Sequence, residues 1–462
     1  MPTESTPNDP AVDTTQAAPE LGNQYTSDRV LTSYLKRTVP GEVLDAESDA
    51  LHALGERAGG DLYALQQADR TSEPKLTQWS PWGERIDEIT LTDVWKTAAP
   101  LAAKYGLVAL PYEQEYGPHS RPLQFARAHL FIPSTDMYGC PLAMTDGAAR
   151  TLLASENDAL IDEAVPHLTS RTPESAWTSG QWMTELAGGS DVGQSNTTAR
   201  EDDDGTWRLY GRKWFTSAIT ANMALALARP DGNPDGGKGL ALFYVPIRET
   251  SDEPPRDGIH VNRMKDKMGA RKLPVSEVEL DGAVARPVSD IGDGTRTLGP
   301  MVRIARTWNS VLAVGLMRRG LALARDFGQN REAFGTPIME KPLHYDTMAS
   351  LQATFEGAFH GRTLGALSLN RSKTVHRKGY PEVPGIMSVP YCSCSGECEC
   401  GWQTNGPGGN VLADKLHPER GNVHPDEVAY VILEPVQGEG GYRVPNDDFV
   451  ADVKEIRQEY GI

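Results

Sequence analysis

The chain has 462 residues, with 63 acidic against 45 basic side chains and a formal net charge of −18. At 39% hydrophobic and 23% charged it can bury a sizeable core over two or three domains, which excludes wholesale disorder. So acidic a surface repels phosphate backbones, and no apolar run reaches bilayer length, so neither nucleic acid nor a membrane is an expected partner.

Met1 to Gly22 is rich in Thr, Pro, Asp, Glu and Ser and reads as a loose tail (1–22). It lacks the basic start and apolar stretch of a secretory signal, so a cytoplasmic protein is expected. Arg exceeds Lys, and with the spread acidity this suits a halophilic setting. Residues 23–178 read as a helical domain. Leu51, Leu54, Ala58, Leu62 and Leu65 recur at helical spacing. A second helix runs from Thr92, a good N-cap, to a stop at Gly106. Residues 179–290 change character. Segments 196–200, 206–210, 213–217, 223–228, 240–245, 259–263 and 276–280 are short, strand-like and divided by turn signals. They predict a compact β barrel or sandwich. Helix returns over 291–352, first from Leu298 and again near Pro342. After Gln352 turns are dense. Then Glu427–Leu433 forms a continuous apolar run, read as a buried parallel strand, and a helix is expected near Asp447.

The strongest local motif is Met183-Thr184-Glu185-Leu186-Ala187-Gly188-Gly189-Ser190-Asp191-Val192. Paired glycines let the backbone approach a ligand, and free N–H groups with the Ser190 hydroxyl can hold a diphosphate. Alone it reads as an ordinary tight turn. Lys213-Trp214-Phe215-Thr216-Ser217 follows on a predicted strand, then Lys267-Met268-Gly269-Ala270-Arg271, then Asn330-Arg331-Glu332-Ala333-Phe334-Gly335 at a helix end. An indole and a neighbouring Thr can serve a flavin ring, although a core Trp is the plain alternative.

In this order these segments resemble the acyl-CoA dehydrogenase family, closest to its alkylation-response, AidB-like subgroup, over about 25–352. The resemblance implies a multidomain α+β fold: a helical domain, a β domain, and a C-terminal helical bundle that is truncated here. It implies FAD as cofactor, acyl-CoA as substrate, an electron acceptor and a homo-oligomer. Met183, Thr184 and Ser190 would meet the flavin and its diphosphate, with Trp214, Phe215 and Thr216 about the ring. Arg331, beside Phe334, would reach the FAD of a neighbouring subunit. The family abstracts an α-proton with a carboxylate and passes a hydride to the flavin. Here the position matching one family base is Ala305, and no Asp or Glu occurs between Thr297 and Leu316. The other base position would lie beyond Gln352, where the family pattern is lost. No catalytic residue is therefore assigned. The shortened bundle is expected to bare the faces carrying Trp308, Leu312 and Leu316.

Residues 353–462 are different. Phe359-His360-Gly361-Arg362-Thr363 and Glu434-Pro435-Val436-Gln437-Gly438-Glu439-Gly440-Gly441 resemble class III aminotransferases of the 4-aminobutyrate/ornithine type. This implies an α/β fragment of a PLP-transferase large domain. Phe359 and His360 would lie at PLP, and Glu434 and Glu439 on the substrate side. The family's phosphate-binding turn is displaced by dehydrogenase sequence. Its Schiff-base Lys falls past Ile462, and neither Lys415 nor Lys454 fits that place. PLP retention is therefore not expected.

Between the two motifs Cys392, Cys394, Cys398 and Cys400 crowd one loop. The spacing leaves Zn²⁺ and plain reduced thiols open. Three readings of the whole stand: a flavin dehydrogenase with a foreign tail, an aminotransferase-related protein, or an inactive fusion that at most binds flavin.

Overall fold

The computed structural model describes residues 18–250, 253–345, 348, 389–390, 392–395, 397–406, 408–421 and 444–460. They fall into two units, Met1–Gly357 and Ala358–Ile462.

The first unit opens with helices α1 (Arg29–Thr38), α2 (Gly41–Gly59) and α3 (Asp61–Ala68). The predicted run Leu51–Leu65 is thus two helices, broken at Gly60, which lies outside helical geometry at ψ −109°. Residues 18–22 need correction as part of a loose tail. Leu21 is buried, and Gly22 packs so closely on the end of α2 that a Cβ on Gly59 would lie 1.7 Å from the Gly22 carbonyl oxygen. Asp28 caps α1 by accepting from the Val30 and Leu31 amides.

A hairpin that the helical reading missed comes next: β1 (Lys75–Trp79) pairs antiparallel with β2 (Arg85–Thr90). Helix α4 (Asp93–Lys104) starts as expected, with the Thr92 hydroxyl accepting from the Trp95 amide, and Gly106 turns the chain at φ +57°. Short α5 (Leu110–Glu113), α6 (Ser120–Phe131), α7 (Gly139–Leu153) and α8 (Asp158–Leu168) complete the helical layer.

Seven strands follow: β3 (Ser179–Trp182), β4 (Thr198–Glu201), β5 (Trp207–Ser217), β6 (Met223–Pro230), β7 (Ala241–Pro246), β8 (Ile259–Met264) and β9 (Val275–Pro287). Segments 206–210 and 213–217 are one strand, interrupted by two register shifts that mimic a break. The order β3-β5-β4-β6-β7-β9-β8 gains a β5–β9 pairing. That pairing closes a ring through β4, β5, β9, β7 and β6, so the domain is a barrel rather than a sandwich. Small residues of β6 and β7 (Ala224, Ala226, Ala228, Ala241) and Phe243 fill its interior with Trp182.

After short α9 (Gly294–Thr297) comes α10 (Gly299–Asn330), 32 residues long, packed on α6 and α7. The expected exposure of its apolar face is overturned at two of three positions. Trp308 is wholly buried and Leu312 buried, while Leu316 is 42% exposed. The helical domain covers them. The Trp308 indole donates to Asp146 at 2.8 Å, a buried carboxylate that also accepts from Tyr112, Arg121 and Gln124. A two-residue hairpin, β10 (Glu332–Ala333) with β11 (Thr336–Pro337), follows, and residues 342–345 are helical.

In the second unit, α11 (Val411–Leu416) and α12 (Asp447–Tyr460) enclose a small core of Cys392, Trp402, Leu412, Leu416, Phe449 and Ile456. The helix expected near Asp447 is α12. The expected strand 427–433 lies outside the described residues. No described helix is long and apolar enough to cross a membrane.

Candidate functional site

The glycine motif leaves β3 as a tight turn. Glu185 and Gly188 exchange backbone hydrogen bonds at 3.2 and 3.1 Å, which pushes Leu186 and Ala187 into solvent. Gly189 faces Thr184, and a Cβ there would stand 2.9 Å from Thr184 Cγ2, so only glycine leaves that hollow open. Met183 is buried behind the turn, Thr184 is half-buried, and Ser190 is exposed. The Asp191 carboxylate accepts from the Gly193 amide at 3.2 Å and steadies the exit.

Beneath the turn lies a residue pair that sequence reasoning missed. Glu185, buried, accepts from Lys213 Nζ at 2.6 Å, Thr197 Oγ1 at 2.6 Å, and the Asn196 and Thr197 amides. Lys213 is wholly buried and also donates to the Leu227 carbonyl at 2.7 Å. Burial pushes the Glu185 pKa up, but Lys213, Thr197 and the Asn196 amide outweigh it and hold the carboxyl below its usual range. For Lys213 burial is the larger effect and draws the amine below the usual lysine range against the pull of Glu185. The carboxylate decides the state at neutral pH, because four donors converge on it while Lys213 keeps a second acceptor. The pair is an ionic rivet between the glycine turn and strand β5. No local pattern announces it, since 28 residues separate the partners.

Trp214 and Phe215 sit at a bulge. Lys213 pairs with Val278 and Thr216 with Ser276, so two residues of β5 face the single residue Glu277 of β9. Bulges re-aim side chains and recur beside functional sites. Here Trp214 ends half-buried and Phe215 is 45% exposed, while the Trp214 amide donates to the Thr184 carbonyl at 2.9 Å. Strand and glycine turn are thus bonded to each other directly. Lys265 Nζ lies 3.1 Å from the Trp214 ring centroid and 4.7 Å from that of Phe215. Its ammonium is held by Glu277 at 2.6 Å, which Arg263 also binds. Burial would raise the Glu277 pKa, and the two cations more than reverse it. Thr216 is wholly buried, and its hydroxyl donates to the Ser276 carbonyl at 2.8 Å. It therefore shapes the strand with its donor already used.

The remaining expected residues stand apart. Arg331 is exposed at the end of α10. Phe334, at φ +52°, and Gly335, at φ +78°, form the two-residue tip of the β10–β11 hairpin, and Phe334 is wholly exposed. Ala305 is half-buried on α10. Phe359, His360, Glu434 and Glu439 lie outside the described residues. In the second unit the sulfurs of Cys392, Cys394, Cys398 and Cys400 all lie within 4.8 Å of one another.

The donor set fits a flavin nucleotide: a glycine hollow beside a Thr hydroxyl, an exposed Ser, and an indole turned out by a bulge. Residues 180–283 match the acyl-CoA dehydrogenase middle domain, 16–174 the adaptive response protein AidB N-terminal domain, and 330–462 aminotransferase class-III. The last match starts ahead of the boundary at 353 read from sequence. Acyl-CoA dehydrogenase family member 11 of Caenorhabditis elegans is 38% identical over 375 residues, covering 78% of this chain and 60% of the relative. Putative acyl-CoA dehydrogenase AidB of Escherichia coli K12 is 28% identical over 344 residues, covering 72% and 61%. The chain thus spans about 60% of the length of these curated relatives. Two solved structures superpose well. One, described as the Bd2924 apo-form, is 41% identical with TM-score 0.71, covering 74% of this chain and 68% of that one. The other, Caenorhabditis elegans ACDH-11 in complex with C11-CoA, is 37% identical with TM-score 0.72, covering 77% and 60%. Residues 16–174 thus carry an AidB-type N-terminal domain, 180–283 an acyl-CoA dehydrogenase middle domain, and 330–462 class-III aminotransferase sequence.

Proposed function

We propose that the first unit binds FAD against the 183–191 turn and the bulge of β5, and takes acyl-CoA thioesters as its substrate class. The bulge that turns Trp214 and Phe215 out beside the Gly189 hollow carries this reading. The Thr184 hydroxyl and the amides of the turn would hold the polar edge of the flavin, with Ser190 toward the diphosphate. Trp214 would lie against the ring, Thr216 would support the strand beneath it, and Met183 and Phe215 would close its flanks. Bound FAD would supply the acceptor for a hydride from the acyl β-carbon. The nematode structure with C11-CoA supports a thioester substrate. Arg331 and the exposed Phe334 would serve a neighbouring copy in a homo-oligomer, and an electron acceptor would reoxidise the flavin. The cytoplasm is the proposed setting.

The chain's own residues do not complete the chemistry at one point. Ala305 stands at the matched base position and cannot take an α-proton. We therefore expect flavin binding with weak or absent α,β-dehydrogenation. The test is direct. Purified full-length protein is loaded with FAD, gel-filtered and assayed with acyl-CoAs and an artificial electron acceptor. A protein that cannot retain FAD defeats the flavin reading. Turnover on the order of 1–10³ s⁻¹, usual for enzymes, overturns the impairment.

A second reading rests on the class-III match to residues 330–462. In it Phe359 and His360 would meet PLP, and Glu434 and Glu439 the substrate. Retention of PLP through gel filtration would favour it.

A further inference from the structure

Four sulfurs in nine residues of chain converge on one point. Cys392 and Cys398 are 3.8 Å apart, Cys398 and Cys400 3.3 Å, and all four lie within 4.8 Å of one another. Two disulfides would draw the sulfurs into pairs at about 2.0 Å. A tetrahedral thiolate site with metal–sulfur bonds of about 2.3 Å requires sulfur separations of about 3.8 Å. The observed cage needs less than about one ångström of adjustment to that geometry.

The surroundings are built for sulfur carrying charge. The Gln403 amide points to Cys398 Sγ at 3.4 Å, and Asn446 Nδ2 to Cys392 Sγ at 3.4 Å. A thiolate accepts such bonds with profit, and they spread the excess negative charge that four thiolates bring to one divalent ion. The same Asn446 donates to the Cys394 carbonyl at 3.1 Å and caps α12 by accepting from the Phe449 amide at 2.8 Å. Trp402, just past the last cysteine, is buried edge-on against Phe449 at 4.6 Å, with its indole donating to Asp452 at 2.9 Å. The cage thus forms one side of the small core that holds α11 and α12.

We propose that Cys392, Cys394, Cys398 and Cys400 bind one thiophilic divalent cation of the zinc type, in a closed structural site that organises the small core between α11 and α12. Four protein ligands leave no open position for a substrate, so the role is architectural. A metal-linked core of this size draws folding energy from the ion. The site is independent of the flavin reading, because its ligands all lie in the second unit. A colourless protein that holds zinc would defeat only the flavin, and a yellow protein without metal only this site.

The test uses the full chain purified under reducing conditions. We expect close to one equivalent of zinc by elemental analysis. Exchange with cobalt should give the visible d–d bands of a tetrahedral thiolate complex. Cys398→Ser should lower stoichiometry at least tenfold and abolish those bands. Cys140→Ser, in buried α7 of the other unit, should leave both unchanged. Stripping the ion should speed proteolytic cleavage within 389–460 and spare the barrel. Less than a tenth of an equivalent with no cobalt bands overturns the proposal. So do two disulfides found by intact mass, or zinc that persists undiminished in Cys398→Ser.

Discussion

Glu185→Ala removes the acidic half of a pair whose side chains are 4% and 0% exposed. Lys213 would keep only the Leu227 carbonyl among its described partners, and the Asn196 and Thr197 amides would lose their acceptor. Breaking a buried pair from one side costs about 3–5 kcal/mol, because the dry survivor must either carry an unpaired charge or give up its proton. Each orphaned amide can add about 1–3 kcal/mol unless water reaches it. Against a stability of roughly 5–15 kcal/mol, this endangers the barrel. The double change Glu185→Gln with Lys213→Met keeps a carbonyl acceptor for one of the two amides and removes the charge. It should recover at least about 2 kcal/mol of the loss, since apolar replacement of a buried pair is often neutral or better. Urea unfolding of the three proteins measures this, with FAD retention as the second readout. The pair also sets an acid signature. A carboxyl held below its usual range contributes stability above the unfolded value of about 4.3, lost as pH falls through the folded value. Glu185→Ala should lack that acid loss. A cost under about 1 kcal/mol, or a double variant no better than the single one, would refute the rivet.

The Asp146 cluster makes a parallel case. Asp146→Ala takes the described acceptor from the Trp308 indole and one acceptor each from Arg121, Gln124 and Tyr112, and should lower stability by about 3–5 kcal/mol in the same assay. Gly189→Ala sets a methyl group against Thr184 and should weaken FAD affinity at least tenfold in a fluorescence titration, with the unfolding midpoint nearly unchanged. Asp28 gives a second acid dependence. Burial would raise its pKa, but His129, the Leu31 amide and Arg318 hold it below the usual range. Its contribution is therefore present above about pH 4 and lost below, so Asp28→Asn should flatten the acid limb of stability against pH.

Much of this was legible from local pattern. Thr92 and Gly106 bound a helix as their chemistry dictates, and the glycine motif and Lys213-Trp214-Phe215-Thr216, singled out separately, are bonded to each other in the fold. What escaped has a physical reason. The β1–β2 hairpin hides because one of the two buried positions of β2 is Asp87 rather than an apolar residue, so polar and apolar residues do not alternate as a strand should. One oxygen of its carboxylate accepts from Arg85 and from the distant Val261 amide, while the other is buried without a described partner. Strand β5 looked like two because bulges shift its register after Leu209 and after Lys213. The burial of Trp308 depended on Asp146, 162 residues away in sequence, and no window of neighbours contains that fact.

Helix α10 is fastened at two places. Trp308 is bonded to Asp146, and Arg319 to the Ala58 carbonyl and the Ser134 hydroxyl. The two fixings are eleven residues apart, about 16 Å along the axis. A rod held at two separated points can neither slide by a turn nor spin without tearing out both. The turns beyond Arg319 continue that fixed axis to Asn330, with Leu321 and Gly328 buried along the way.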